Sequence, residues 1–292
     1  MAERAEHSPG TLFCFGLGYT AGFLARALRD EGWRVVGTCR EAASVTRLRA
    51  EGFEMHRLER GSPLADARAL LAAATHVLSS IPPDDAGDPV LDLHGAELAA
   101  AASRWVGYLS TTGVYGDRSG DWVDESSALE PTGERGRRRV EAERRWLDLH
   151  RRRGLPVHVF RLAGIYGPGR SALEAVRAGR AQRIDKPGQV FSRIHVADIV
   201  QALRASMAAP DPGSVYNLCD DDPAPPAEVI AYAAELLGVP PPPLVPFASA
   251  TLSEMARSFY ADNKRVSNCR LKERLGVRLL YPSYRDGLRA LL

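Results

Sequence analysis

The first patterned stretch of the chain is Thr11 to Phe15, an apolar run of a length that suits a buried strand rather than a helix. A glycine turn follows. From about Ala21 to Glu31, Phe23, Leu24, Ala27 and Leu28 then gather on one helical face. Trp33–Cys39, Thr75–Ile81, Trp105–Ser110 and Pro156–Leu162 read as further strands, with turns or helices between them. The Ala/Leu-rich run Val90–Ser103 and the Arg-rich run Glu134–Arg152 are the two longest helices expected in this half. Strands alternating with helices predict an α/β fold with a doubly wound parallel sheet covered on both faces. Beyond Gly167 the pattern is less regular, with turns at Pro168, Gly169, Pro187 and Gly188, then a strand, turn and helix over Ile194–Met207. The expected division is a core over 10–167 and a smaller lobe over 168–292, with segments near 193–207 and 214–219 returning to the core. A helix over Pro226–Leu237 runs into Pro240–Pro243, which reads as an extended internal connector in preference to an SH3-type ligand.

Composition narrows the setting. A 45% hydrophobic and 25% charged chain of 292 residues is ordinary for a soluble globular protein. Its 38 basic and 36 acidic residues are spread along the chain, so no overall field points to nucleic acid or membrane. Cys14, Cys39, Cys219 and Cys269 form no CxxC or Cys/His cluster, which argues against a metal site or a disulfide framework. The polar start MAERAEHSPG leads into an apolar run too short for a secretory segment, and no stretch has the length of a membrane span. Reduced thiols and a cytoplasmic location are expected.

Chemistry first shows in TLFCFGLGYTAGFLARAL. Gly16, Gly18 and Ala21 stand in GxGxxA spacing between the first strand and the first helix, with Tyr19 and Thr20 completing the turn. The first glycine permits the tight turn, the second lets backbone approach a pyrophosphate, and the alanine keeps the helix close to the sheet. An ordinary tight turn is the alternative. At the end of the second strand, where NAD enzymes place an acidic residue for the ribose 2′-hydroxyl, the sequence has Thr38 and Arg40. A cation there favours NADP(H) over NAD(H), against the plainer reading of a solvated loop arginine beside Glu41.

Five ordered segments carry a resemblance. YLSTTGVYG (Tyr108–Gly116), RLAGIYGPG (Arg161–Gly169), RIHVADIVQAL (Arg193–Leu203), YNLCDD (Tyr216–Asp221) and the terminal Arg270–Leu288 together resemble the extended short-chain dehydrogenase/reductases, the NAD-dependent epimerase/dehydratase family. The resemblance implies a Rossmann-type core with a smaller substrate lobe. It puts Ser79 and Pro82 beside the cofactor ribose, and it makes Thr111 the residue that positions a substrate oxygen. Thr112 and Gly113 stand where sugar-nucleotide dehydratases carry an acidic pair, so 4,6-dehydration is not expected. Tyr115 and Tyr166 fall in the two matched turns, as pocket lining or as packing. His195 is a pocket-edge residue or a structural histidine, and Asp198 a helix cap.

The chain then departs from the family. Its catalytic Tyr and Lys lie four apart on one helix, and the matching positions in PTGERGRRRVEAE are Arg135 and Arg139. No tyrosine occurs between Tyr115 and Tyr166. A permanently protonated guanidinium cannot supply the proton that carbonyl reduction requires. Tyr115 and His195 are the candidate substitutes; alternatively Arg135 and Arg139 face an anion, or belong to a solvated Arg-rich surface. Two functions remain: an atypical NADP(H)-using oxidoreductase or epimerase-like enzyme acting on a small molecule, and a catalytically silent redox sensor acting through a protein partner. The resemblance also implies pairing through the two long helices, so a homodimer is weighed against a monomer, with Glu141 and Glu143 offsetting the arginines.

Overall fold

A computed structural model describes residues 9–292; the polar start considered above lies outside the described residues up to Ser8. The elements in chain order are β1 (Thr11–Phe15), α1 (Tyr19–Asp30), β2 (Arg34–Cys39), α2 (Ala42–Ala50), β3 (Glu54–Arg57), α3 (Ala67–Ala72), β4 (His76–Ser79), α4 (Pro89–Ala100) and β5 (Trp105–Thr111). After a 3-10 turn at Thr112–Tyr115 come β6 (Trp122–Val123), α5 (Glu134–Arg153), β7 (Val157–Leu162), β8 (Gly164–Tyr166), α6 (Ala172–Arg177), β9 (Arg183–Asp185) and β10 (Arg193–His195). The remainder is α7 (Val196–Ala208), β11 (Val215–Leu218), α8 (Pro226–Leu236), β12 (Leu244–Pro246), α9 (Glu254–Phe259), β13 (Arg265–Val266), α10 (Cys269–Leu275) and α11 (Tyr284–Arg289).

Seven strands form the parallel central sheet in the order β11-β7-β5-β4-β1-β2-β3, a Rossmann-type arrangement. The strand order reverses between β1 and β4, the place in such sheets where ligands meet the strands' carboxyl ends. Cα packing divides the chain into two compact units. The first contains the chain up to Leu109 together with Ala142–Val159 and Met207–Ser214; the second contains Ser110–Glu141, Phe160–Ser206 and Val215–Leu292. The division passes through β5, α5 and β7.

In the first unit the sheet core is nearly dry: Leu12, Phe13, Cys14 and Phe15 of β1 are each 0% exposed. A strand buried on both faces reads as a continuous apolar run, which is why β1 shows no alternation. The start of α4 is fixed by Asp88, whose carboxylate accepts from Val90 N and Leu91 N at 2.9 and 3.1 Å and from Trp146 Nε1 at 2.9 Å. A buried N-cap that also holds an indole is costly to remove, about 2 kcal/mol or more. The second unit adds three small parallel pairings, β10 with β8, β12 with β9 and β13 with β6. Its apolar centre includes Tyr166, Leu173, Val229, Ala233, Tyr284 and Leu288.

Candidate functional site

In the first unit, β1 ends in a turn held from the neighbouring strand. Gly16 has φ +83°, and its N–H donates to the Thr38 hydroxyl at 2.9 Å while Leu17 N donates to Thr38 O at 2.8 Å. The Ser80 hydroxyl donates to Gly16 O. A side chain at Gly16 would stand 2.8 Å from Ile81 Cγ1, so sterics and φ both demand glycine. Gly18 is exposed, and nothing lies within 4 Å of where its Cβ would stand. It opens α1, with Gly22 N donating to Gly18 O at 2.8 Å. Tyr19 is half-buried, whereas Thr20 and Ala21 are buried at 7% and 1% exposure, so Ala21 does pack inward.

Thr38 is 0% exposed, and its hydroxyl oxygen, accepting from Gly16 N, supports the glycine turn. Arg40 is exposed just past β2. Ser79 ends β4, and its buried hydroxyl has no partner among the described residues; Pro82 is exposed beyond it.

In the second unit, the turn after β5 contains Thr111, whose half-buried hydroxyl oxygen accepts from Gly113 N at 3.1 Å. Tyr115 is 0% exposed. Its hydroxyl donates to Asn217 Oδ1 at 2.7 Å and accepts from Arg161 Nη1 at 2.8 Å, and burial pushes its pKa up to about 12. The hydroxyl thus bridges two buried neighbours and is held in its protonated form. The first turn of α5 approaches this turn: a Cβ on Gly136 would stand 3.0 Å from Gly113 O. Arg135 is exposed and Arg139 half-buried on that helix.

His195 lies elsewhere in this unit. Its Nδ1 accepts from Ala197 N at 3.2 Å and its ring meets those of Tyr166 and Tyr281, at 5.2 and 4.2 Å between centroids. Burial lowers its pKa to about 4, so the ring is neutral, with Nε2 unpartnered among the described residues. Tyr166 packs as a wall, its hydroxyl donating to Ser283 O at 3.3 Å. Asp198 does not cap α7: its two carboxylate oxygens accept from Leu280 N and Tyr281 N at 2.6 and 3.2 Å. Glu143 is 2% exposed and engaged within the chain, so it is not available to pair across an interface.

Sequence reasoning missed Lys264. Lys264 is half-buried, and its Nζ donates to Gly116 O at 2.8 Å and to Asp262 Oδ2 at 3.1 Å, tying the end of the second turn to the segment before β13, while burial lowers its pKa. A signal was present: in a chain whose basic residues are almost all arginine, it is one of three lysines. Arg161, also missed, sits inside the matched RLAGIYGPG segment.

A dinucleotide-binding glycine turn at the switch point of a doubly wound sheet, with a matched turn after the fifth strand, defines a nucleotide-dependent α/β protein of the extended short-chain type. A family model for the NAD dependent epimerase/dehydratase family matches residues 16–219, and the chain belongs to that family. It is 32% identical over 240 residues to Protein YeeZ of Escherichia coli K12, covering 78% of this chain and 84% of that one. A solved structure of a functionally unknown conserved protein from Silicibacter pomeroyi is 57% identical with a TM-score of 0.88, covering 97% of this chain and 98% of that one. The UDP-glucuronic acid 4-epimerase of Bacillus cereus, solved in complex with NAD, shares the fold at 16% identity and a TM-score of 0.77, covering 96% and 94%.

Proposed function

We propose that this protein is a reductase that uses a nicotinamide dinucleotide and acts on a small molecule without the family's tyrosine acid. The glycine turn carries the reading. Gly18 leaves open space where a side chain would stand, and Ser79 keeps an unpaired buried hydroxyl at the end of β4, both fitting a bound dinucleotide. Gly16, Gly18, Tyr19, Thr20 and Ala21 would hold its pyrophosphate, with Ser79 and Pro82 beside a ribose. The NAD held by the Bacillus cereus epimerase supports the same class of cofactor. Exposed Arg40, which has no carboxylate partner among the described residues, favours a 2′-phosphate and hence NADP(H) over NAD(H).

When bound, the nicotinamide supplies or accepts hydride. Thr111 orients the acceptor oxygen, its own oxygen already accepting from Gly113 N and its proton left to donate. Arg135 offsets negative charge on that oxygen without releasing a proton, Arg139, four residues on, adds to the positive field, and the proton that completes the alcohol is drawn from solvent water. Losing a general acid costs about 10²–10⁴ in rate, so slow turnover with ordinary carbonyl substrates is expected. The same reading has the protein working in the cytoplasm as a monomer, or as a homodimer through α4 and α5, with neither nucleic acid nor membrane as partner. Calorimetric titration with NADPH and NADH tests the cofactor: Arg40→Asp should weaken NADPH by about 1–3 kcal/mol. Equal or tighter NADH binding removes the NADP assignment, and absence of binding by either dinucleotide removes the function.

A further inference from the structure

A cavity of about 520 Å³ opens within the second unit, walled by residues of β8, α6, β10, α8 and α11 and by the loops beside α6. None of the candidate catalytic or cofactor residues lines it. One side is cationic, with Arg170, Arg180 and Arg193; the other is apolar, with Val229, Ile230 and Leu288. The one carboxylate in the lining, Glu174, accepts from the Ser171 hydroxyl and is held ionised, which leaves three cations against one anion around the cavity. Arg180 is exposed and has no ion-pair partner among the described residues. Arg193 gives Nη1 to the carbonyl oxygens of Phe191 and Ala224 at 2.8 and 3.0 Å, which are dipoles and not counter-charges.

The acid that acts most strongly on Arg193 is Asp220, and burial pushes its carboxyl up to about 8. The Arg193 guanidinium is itself desolvated by burial, and among the described residues no carboxylate forms an ion pair with it. A further polar group in the wall, the buried Tyr284 hydroxyl, has no partner among the described residues.

We propose that this cavity is a binding site for a small organic anion, a carboxylate or phosphate monoester carried on an apolar body, separate from the dinucleotide turn. The anionic head supplies the charge that Arg193 and Arg180 lack, and the body covers Val229, Ile230 and Leu288. A bare inorganic anion leaves the apolar wall wet, and a neutral analogue leaves Arg193 uncompensated.

The test is calorimetric titration of the full chain with octanoate, phenyl phosphate and octanamide, each with and without saturating NADPH. Octanoate or phenyl phosphate should bind, and which of the two is tighter identifies the head group. Octanamide should bind at least about tenfold more weakly, as should either anion to Arg180→Glu, because a charge-assisted contact is lost. Arg180 is exposed, so that variant should fold; Arg193→Met, which removes the deeper cation, is the second variant. No binding by either anion, equal binding of octanamide, unchanged affinity in Arg180→Glu, or displacement of the anion by NADPH would each overturn the proposal.

Discussion

The joints from β1 into α1 and from β5 towards α5 are both strand, turn and helix, yet they serve their chemistry by different means. The first works through backbone: a glycine with positive φ, a second glycine with open space above it, and the N-terminus of a 12-residue helix. In the second, the family's chemistry depends on one side chain at one helical position, and our proposal sets Arg135 there. A function written in backbone geometry withstands wide changes in side chains, whereas proton transfer is lost with a single hydroxyl. On that proposal, binding and turnover should be separable by mutation.

The largest effect should come from the glycine that closes the second turn. Gly116 has φ +69°, and a Cβ there would stand 1.9 Å from Glu130 O. Gly116→Ala is expected to destabilise by about 3 kcal/mol or more, read as a drop in melting temperature by circular dichroism. An unchanged melting temperature would mean the turn is not held as described.

Acid titration should act on both units alike. His158, in the first, and His195, in the second, are each pushed down to about 4 by burial, so the fold favours their neutral forms. The unfolded chain binds more protons below about pH 6.5, and stability present above that pH is lost as pH falls towards 4. The loss approaches about 3 kcal/mol per histidine at pH 4, and His158→Gln should remove one share of it in calorimetric melts. An identical pH slope in that variant would contradict the assigned burial effect.

Gly18→Val is the sharpest contrast with Gly116→Ala. With nothing near its Cβ, melting should move little, by the equivalent of about 1 kcal/mol or less, while dinucleotide affinity falls at least about tenfold. Undiminished affinity would show that the pyrophosphate does not approach this glycine. Smallest is the effect of Arg135→Ala, which should lower any slow NADPH-dependent reduction by about tenfold and leave dinucleotide affinity unchanged. Fast turnover that survives both Arg135→Ala and Thr111→Ala would place the chemistry on other residues.

How much of this was legible followed from the range of each interaction. The limits of β1 and the start of α5 match the expected residues, because apolar runs and turn residues mark them locally. The glycine turn was equally plain, since φ and spacing leave their trace in residue type. Hidden from the sequence was the non-helical His94 inside α4, φ −136°, whose Nε2 accepts from Leu64 N at 3.3 Å. The two-residue pairing of β6 with β13 was hidden too, because it joins Trp122–Val123 to Arg265–Val266 across a long stretch of chain. At the candidate site, Tyr115 was named from its turn, but its bond to Asn217 spans 102 positions, and no local pattern reports such a partner.

The tryptophans give the two units separate optical signals. Trp105 and Trp146, both 0% exposed, belong to the first unit, as does half-buried Trp33; the second unit has only Trp122, which is 60% exposed. Buried indoles emit at shorter wavelength and resist acrylamide, while an exposed one emits further to the red and is readily quenched. Native fluorescence should therefore come mainly from the first unit when acrylamide is present. Trp146, stacked on Tyr108 at 5.4 Å and bonded to Asp88, would report loosening of that packing as a red shift in emission, without any added label.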